Sequence, residues 1–243
     1  MIKNFIFDID GTLLDSNDFH ARAWVEAFAA YGKKISLKRI RPRMGEGADQ
    51  LLPEFLSKKE IKEFGEDLDK LSGEIFKRKY FAKVRPFPKV RELFKKIRQS
   101  GARIALASSA DAGEVKKYEK VARIQDLVER SASSDDANNS KPSPDIFHAA
   151  LKLLGDPKHD SVLVVGDSPF DAMAAKKAKI PAVSVLCGGF SKKILKANGC
   201  RAVYKDPADL LKNVDAILND FSSPKRELVS PGRRKMKEKW LQR

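Results

Sequence analysis

Apolar positions at the start of the chain change from a continuous run to a helical period. The run at 4–8 is apolar until Asp8 and is followed by Gly11 and Thr12, a pattern typical of a buried strand that ends in a turn. From Asn17, apolar residues recur every three or four positions, which predicts an amphipathic helix capped by Asn17 or Asp18. Helical patterns with Gly and Pro interruptions then continue to about residue 82.

From residue 86 onward, apolar runs alternate with amphipathic stretches. The predicted helices lie at about 88–100, 111–123, 143–154 and 169–178, and the predicted strands lie at 102–107, 127–132, 161–167 and 182–186, with 202–204 as an edge strand between two further helical stretches. This alternation implies βαβ units and a parallel sheet. We therefore predict an α/β fold with a Rossmann-like, three-layer core and a small all-α cap domain inserted after the first strand.

These patterns divide the chain into three parts. We expect residues 1–15 and 83–221 to form the α/β core domain and residues 16–82 to form the helical cap domain. Residues 222–243 hold eight basic and two acidic residues and form a basic C-terminal tail.

The charge balance adds a second candidate class of function. The formal net charge is +15, of which the tail carries +6 and the rest of the chain +9. A positive balance favours polyanions or negatively charged small substrates. A polyanion-binding protein that uses the basic tail is therefore one alternative, although we do not expect nucleic acid to be a partner.

Composition limits the location of the protein. The longest apolar runs are about five residues, far below the ~20 that a membrane-spanning helix needs, so we expect no membrane span. The first residues have no basic segment followed by a long apolar one, as a secretory signal would have. Cys187 and Cys200 are too few for a disulfide framework and fit a reducing compartment. We expect a cytoplasmic protein, and the sequence leaves its oligomeric state open.

Polar side chains follow several of the predicted strands. Asp8, Ser108 and Asp167 each close a strand, and Lys141 lies in the loop after another. Because ligands of open α/β sheets bind beyond the carboxyl ends of the strands, these side chains are expected to meet in one crevice. Asp10 is two residues after Asp8 and lies on the same side of an extended segment, roughly 7 Å away.

Each of these features also has a structural interpretation. The acids at Asp8 and Asp10 are equally consistent with a solvated turn, and Asp167 with Asp171 is consistent with a helix N-cap and a first-turn acid. An EF-hand is excluded, because Leu13 and Phe19 stand where that loop requires Gly and Glu. Hard carboxylate ligands in this number favour Mg²⁺.

The order of the four motifs resembles that of the haloacid dehalogenase superfamily. Asp8-x-Asp10-Gly-Thr comes first, then a Ser at a strand end, then Lys141-Pro, and finally Gly-Asp167-x-x-x-Asp171. The resemblance covers residues 1–220, and the insert at 16–82 is similar to the helical cap of the phosphoglycolate phosphatase and β-phosphoglucomutase branch. Haloalkanoate dehalogenases lack the second acid of the first motif, so the presence of Asp10 implies phosphoryl transfer.

The resemblance implies a role for each matching residue. Asp8 is the expected nucleophile, and Asp10 the expected general acid and base. Mg²⁺ would be held by Asp8, the backbone carbonyl of Asp10 and Asp167, with Asp171 supporting its water shell or orienting Lys141. The phosphate oxygens would contact a set of donors in the loops, namely Gly11, Thr12, Ser108, Ser109 and Lys141.

Cap residues are candidates for contact with the rest of the substrate. His20, Arg43, Gly45 and Gly47 form this set. Sugar-phosphate mutases of the branch place an Arg shortly after the loop glycine, whereas acidic residues follow Gly45 here. We therefore expect a Mg²⁺-dependent phosphatase that hydrolyses a small phosphorylated metabolite, a phosphate monoester, through an aspartyl-phosphate. A β-phosphoglucomutase-like mutase is the alternative.

Overall fold

Six parallel strands form the central sheet of the protein. The computed structural model describes residues 1–220, so the predicted basic tail at 222–243 lies outside the described residues. The strands of this sheet are β1 (Asn4–Phe7), β4 (Arg103–Ala107), β5 (Arg130–Ala132), β6 (Val162–Gly166), β7 (Ala182–Val185) and β8 (Ala202–Tyr204). Their spatial order is β5-β4-β1-β6-β7-β8, so the order reverses between β1 and β6. A short antiparallel pair, β2 (Leu14–Asp15) and β3 (Arg85–Pro86), lies beside them.

Helices follow most of these strands. Within residues 1–220, the α-helices are α1 (Asn17–Ala30), α2 (Leu37–Ile40), α3 (Ala48–Leu51), α4 (Lys58–Glu60), α5 (Glu66–Ile75), α6 (Val90–Gln99), α7 (Ala112–Ala122), α8 (Asp145–Leu153), α9 (Pro169–Lys177), α10 (Lys192–Ala197) and α11 (Pro207–Asp220). Short 3₁₀ and π turns join several of them in the segment between β2 and β3.

The sheet is covered by helices on both faces, because side chains alternate along each strand. Phe5 and Phe7 of β1 belong to one buried cluster, which also contains Phe94 of α6 and Val214 of α11. Ile6, between them, belongs to a second cluster with residues of α8 and α9 on the opposite face. Both faces are apolar, as expected for a parallel sheet, and the three-layer α/β prediction is confirmed.

The helices α1 to α5 leave the sheet after β2 and return to it at β3. Aromatic side chains fill the space between them: Trp24 packs on Phe28 with ring centroids 5.8 Å apart, and Tyr31 stacks on Phe64 at 4.8 Å. Burying such rings is the main apolar contribution to a segment of this size. The division into a core domain and a cap domain stays a prediction.

Some local predictions were wrong in detail. The strand predicted at 127–132 begins only at Arg130, because residues 127 and 128 complete the turn after α7 and pack into the core from there. The helix α1 begins after Ser16, so neither Asn17 nor Asp18 is its N-cap. The β2–β3 pair was missed, since two residues a strand are too few for a periodic signal.

In the part of the chain that the structure describes, no helix is both long enough and apolar enough to cross a lipid bilayer.

Candidate active site

Two aspartates follow neighbouring strands where the strand order reverses. Asp8 comes directly after β1 and Asp167 directly after β6, and the Asp8 N–H donates to the Val165 carbonyl at 2.9 Å. A crevice at such a reversal is the usual ligand site of an open α/β sheet. Carboxylate oxygens of Asp8, Asp167 and Asp171 lie within 4.8 Å of one another, and all three residues are buried. The structure therefore brings together three of the predicted acids.

Lys141 reaches into this acidic cluster from the loop between β5 and α8. Its Nζ lies 2.6 Å from Oδ1 of Asp8 and 2.7 Å from Oδ1 of Asp171. The side chain is only 1% exposed, which is rare for a lysine. Burial opposes the charged ammonium, but Asp171 and Asp8 outweigh burial and raise the pKa of Lys141. Lys141 is therefore a fixed positive charge at the centre of the crevice.

Each carboxylate oxygen of Asp171 faces a neighbouring group. Its Oδ2 accepts hydrogen bonds from the Ser168 N–H at 3.1 Å and from the Ser168 hydroxyl at 2.6 Å, which caps the first turn of α9. Its Oδ1 faces Lys141. This arrangement combines the predicted helix cap with an ion pair, and it gives Asp171 the geometry of a group that orients Lys141.

The turn after β1 packs closely against Asp167. The Thr12 hydroxyl lies 2.8 Å from Oδ2 of Asp8 and 3.3 Å from Oδ1 of Asp167. The Asn17 amide donates to Oδ2 of Asp167 at 2.9 Å. Gly11 has φ of +76°, and a Cβ there would lie 2.0 Å from Nδ2 of Asn17 and 2.5 Å from Oδ2 of Asp167. Only glycine fits this position, on both conformational and steric grounds.

Asp10 lies outside the cluster of three carboxylates and has its own partners. Its Oδ1 accepts a hydrogen bond from the Ser16 hydroxyl at 2.5 Å and lies 3.1 Å from Nε2 of His20. His20 is in turn 3.4 Å from the Tyr118 hydroxyl and stacks on Phe76 with ring centroids 3.7 Å apart. Burial opposes the ionised carboxylate, but His20 and Ser16 outweigh it and hold the pKa of Asp10 below its ordinary value.

The acidic cluster is electrostatically costly as it stands. Burial raises the pKa of Asp8 to about 7 against the opposing effect of Lys141. Burial, together with the neighbouring charge of Asp8, raises the pKa of Asp167 well above its ordinary value. Three carboxylates around one ammonium leave a net negative charge, and buried charges are stabilised by partners or by a metal ion. These oxygen ligands fit a hard divalent cation such as Mg²⁺.

The predicted phosphate-binding serines lie at the end of β4, the neighbour of β1. Ser108 is buried, its N–H donates to the Ala132 carbonyl at 3.1 Å, and its hydroxyl accepts a hydrogen bond from the Ala110 N–H at 3.1 Å. Ser109 is exposed. No side-chain hydrogen bond joins either serine to the acidic cluster within residues 1–220, so their contact with a phosphate stays a prediction.

The loop with Gly45 and Gly47 lies directly against the loops that carry the acidic cluster. A Cβ at Gly45 would lie 2.8 Å from the hydroxyl oxygen of Ser168, and a Cβ at Gly47 would lie 1.9 Å from that of Ser140. Ser140 precedes Lys141 in the chain, and its N–H donates to Asp49 at 3.2 Å. Both glycines therefore permit a close approach of the helical segment to the loops of the crevice, and their contact with substrate stays a prediction.

Arg43 does not point freely into the crevice. Its guanidinium lies 2.8 Å from Glu46 and 2.9 Å from Glu54, and it also lies over the ring of Phe170 at 5.8 Å. Burial raises the pKa of Glu46 to about 7 against the opposing effect of Arg43. The carboxylates of Glu46 and Glu54 thus pair with the guanidinium of Arg43, the positive charge that a second phosphate group of a substrate would need.

Several residues of the site carry no motif that sequence reasoning recognised. The sequence pattern around Asn17 predicts only a helix cap. In the structure, its side-chain amide donates hydrogen bonds to Asp167 and, at 3.2 Å, to the Gly188 carbonyl. Ser16 and Tyr118 reach Asp10 and His20 through pairings that depend on the tertiary fold. A Cβ at Gly188 would lie 1.7 Å from Oδ2 of Asp167, so this glycine too is required by the site.

Comparison with known families agrees with this geometry. The family model described as haloacid dehalogenase-like hydrolase matches residues 5–185, which include Asp8, Lys141 and Asp171. A phosphoglycolate phosphatase from Pseudomonas syringae pv. syringae is 31% identical over 192 residues, covering 76% of this chain and 70% of the relative. Structural comparison matches a hydrolase from Pseudomonas syringae with a TM-score of 0.80 and 30% identity, covering 88% of this chain and 99% of the other.

One relative is much longer than this chain. Protein SUPPRESSOR OF QUENCHING 1, chloroplastic, from Arabidopsis thaliana is 34% identical over 217 residues, which is 87% of this chain. The chain spans only 20% of the length of that relative.

Proposed function

Because the chain belongs to the haloacid dehalogenase-like hydrolase family, we propose that it is a Mg²⁺-dependent phosphatase that hydrolyses a small phosphate monoester through an aspartyl-phosphate. The observation that carries this proposal is the buried Lys141, held 2.6 Å from Asp8 and 2.7 Å from Asp171 beside Asp167. A carboxylate nucleophile, a fixed cation and an acidic metal-binding cluster are what phosphoryl transfer to an aspartate requires.

Asp8 is the proposed nucleophile. One of its oxygens attacks the phosphorus in line, and the bond from phosphorus to the alcohol oxygen breaks. Lys141 holds the negative charge that develops on the phosphoryl oxygens, and the hydroxyls of the two predicted serines bind the rest. The N–H groups of Gly11 and Thr12, which the sequence suggested as phosphate donors, already donate to the Leu14 and Ile9 carbonyls. Thr12, whose hydroxyl lies 2.8 Å from Asp8, keeps the carboxylate oriented.

Asp10 is the proposed general acid and then the general base. The leaving alkoxide takes a proton from Asp10, which then removes a proton from the water that attacks phosphorus, so that phosphate leaves and Asp8 is restored. The lowered pKa of Asp10 means that its proton must be supplied when substrate binds. The dianionic phosphate disfavours a second negative charge beside it, which favours the protonated form of Asp10, and Nε2 of His20 lies 3.1 Å from Oδ1 of this carboxyl group.

Mg²⁺ would be held by the carboxylates of Asp8 and Asp167 and by the backbone carbonyl of Asp10. When bound, the ion offsets the repulsion between a carboxylate nucleophile and a dianionic phosphate. Asp171, which faces Ser168 and Lys141, would orient the lysine or support the water shell of the ion.

Hydrolysis is favoured over mutase chemistry by the surroundings of Arg43. A mutase must bind a second phosphate group of its bisphosphate intermediate on the cap side of the crevice. Arg43 is already paired with Glu46 and Glu54, and Arg41, two residues earlier, donates to Asp18 and to the Gly188 carbonyl. The substrate of the proposed reaction is therefore a monophosphate, and the product is inorganic phosphate without need of a bisphosphate activator.

Hydrolysis of p-nitrophenyl phosphate tests the proposal. The protein should release phosphate with Mg²⁺, lose turnover when the metal is chelated, and regain it on addition of Mg²⁺. Asp167→Ala should raise the Mg²⁺ requirement or abolish activity. A protein that only binds polyanions through its tail would not hydrolyse the ester under any of these conditions, and full activity in excess chelator would contradict the metal assignment.

A positioning role of His20 has a separate test. His20→Gln places a polar amide where the imidazole ring was, but an amide cannot supply a proton. We therefore expect kcat to fall by about 10- to 100-fold while KM changes little. The pH dependence of kcat should change at the same time, whereas a merely structural His20 would alter stability and leave the shape of the pH profile unchanged.

A further inference from the structure

A groove lies on the protein surface beside β3, where the chain returns from the helical segment to the sheet. The cavity has a volume of about 770 Å³. Its apolar lining comes from three separate elements and consists of Phe81, Val84, Phe87, Val90, Val121 and Ala122. This volume is in the range of cavities that bind small organic molecules, roughly 300–1,000 Å³.

The rim of the groove is strongly basic. Five cationic side chains and one carboxylate line it, namely Arg85, Lys89, Arg91, Lys95, Arg123 and Glu92. Two of the cations are neutralised by surface carboxylates, since Arg91 forms a paired hydrogen bond with Asp126 and Lys89 lies 2.9 Å from Glu92.

Three cations of the rim remain available to a ligand. Among residues 1–220, no carboxylate lies within 4.0 Å of the charged groups of Arg85, Lys95 or Arg123. The Arg85 guanidinium donates only to the backbone carbonyls of Ala82 and Val84, both at 2.8 Å. The groove therefore combines an apolar floor with a rim on which cationic side chains outnumber carboxylates.

Two of the basic residues have a left-handed backbone conformation. Lys89 has φ of 70° and Arg123 has φ of 55°, and only two other non-glycine residues of the described chain have positive φ. Such positions favour glycine, because a Cβ disfavours the left-handed region. Arg123 is the C-cap of α7, a position where the left-handed conformation is common, and Lys89 directly precedes α6. Here both positions carry a long cationic side chain on the rim of one cavity.

The groove is distinct from the acidic crevice. None of the aspartates of the crevice lines it. It is nevertheless joined to the turn after β1, because β3 pairs with β2 and the Phe87 N–H donates to the Leu13 carbonyl at 2.9 Å. An occupant would contact both the segment that returns from the helices and the helices α6 and α7 of the sheet layer.

We propose that this groove binds a small organic anion with an apolar or aromatic body. The body would cover Phe81 and Phe87, and the anionic group would lie among Arg85, Lys95 and Arg123. Aromatic floors bind flat apolar groups, and guanidinium groups bind sulfonates, carboxylates and phosphates through several hydrogen bonds at once.

Anilinonaphthalene sulfonate is the probe for this site, since it joins an aromatic body to one anionic group and fluoresces when bound to apolar surface. The double variant Lys95→Glu/Arg123→Asn removes two of the three available cations from the rim and keeps a residue that tolerates positive φ at position 123. The matched control, Lys152→Glu/Lys158→Asn, makes the same change in net charge at two exposed lysines outside the groove. Circular dichroism checks that both variants are folded.

The expected result is a loss of at least about tenfold in affinity for the probe in the groove variant and less than about twofold in the control. Phenylnaphthylamine, which has the same rings without the sulfonate, should bind both variants alike. An equal loss in both variants would mean that only overall charge matters, and an unchanged affinity in the groove variant would place the probe outside the groove. Either result overturns the proposal.

Discussion

Replacement of Lys141 by methionine tests the electrostatic structure of the crevice. Methionine fills most of the volume of the lysine stem, but it loses the cation–π contact of Nζ with Phe147, whose ring centroid lies 5.5 Å away. The ammonium is also lost from between Asp8 and Asp171. Removing one partner of a buried ion pair costs about 3–5 kcal/mol, because the remaining charge is buried without compensation.

The loss of stability should depend on pH in a defined direction. The folded-state pKa of Asp8 is already raised from 3.8 to about 7, so the folded protein binds protons more readily than the unfolded chain and loses stability as the pH rises through this range. Without Lys141, the pKa values of the carboxylates rise further. The difference in unfolding free energy between wild type and variant should therefore be larger at about pH 8 than at about pH 5.5.

Urea denaturation of the metal-free proteins at both pH values measures this difference. Lys152→Met is the control, since Lys152 is exposed on α8 and its replacement should cost less than about 0.5 kcal/mol. Mg²⁺ should restore part of the stability of Lys141→Met, because a bound cation stabilises the folded state by mass action. A loss below about 1 kcal/mol at pH 8, or an equal loss at both pH values, would refute the reasoning.

Three further predictions concern two loop glycines, the helical-segment glycine controls and the C-terminal tail. Gly11→Ala should abolish turnover, since its Cβ would lie 2.0 Å from the nearest side-chain atom, whereas Gly32→Ala, also at positive φ but with nothing within 4 Å, should leave kcat unchanged. Gly47→Ala should raise KM for p-nitrophenyl phosphate by forcing the loop away from the crevice, while Gly73→Ala, in open space, should not. Deleting residues 224–243 should leave hydrolysis of small phosphates intact, and an inactive or unfolded product would show that the tail belongs to the fold.

The fold could be predicted from sequence because its strands are short, apolar and separated by amphipathic helices. The run at Val162–Gly166 is buried at every position, which is the signature of a central parallel strand. The β2–β3 pair could not be predicted, because its pairing is decided by the closure of the chain around the helical segment and not by a local pattern.

Part of the acidic crevice was predictable for the same reason: Asp8 and Asp167 directly follow parallel strands, whose ends lie together. Lys141 and Asp171 lie beyond the strand ends, and the order of the four motifs was needed to connect them with the site. Asn17 and Tyr118 could not be found, because each lies on a helix whose orientation toward the site is set by packing. The pairing of Arg43 with Glu54 likewise depends on how a loop folds back.

Trapping the covalent intermediate tests the central claim most directly. The protein is mixed with a phosphate monoester and Mg²⁺, quenched in acid during turnover, and digested, and the peptides are analysed by mass spectrometry. We predict a phosphoryl group on the peptide that carries Asp8, lost on treatment with hydroxylamine as expected for an acyl phosphate and missing from Asp8→Asn, which should fold normally and lack turnover. An unmodified Asp8 peptide together with undiminished turnover in pure Asp8→Asn would contradict the account.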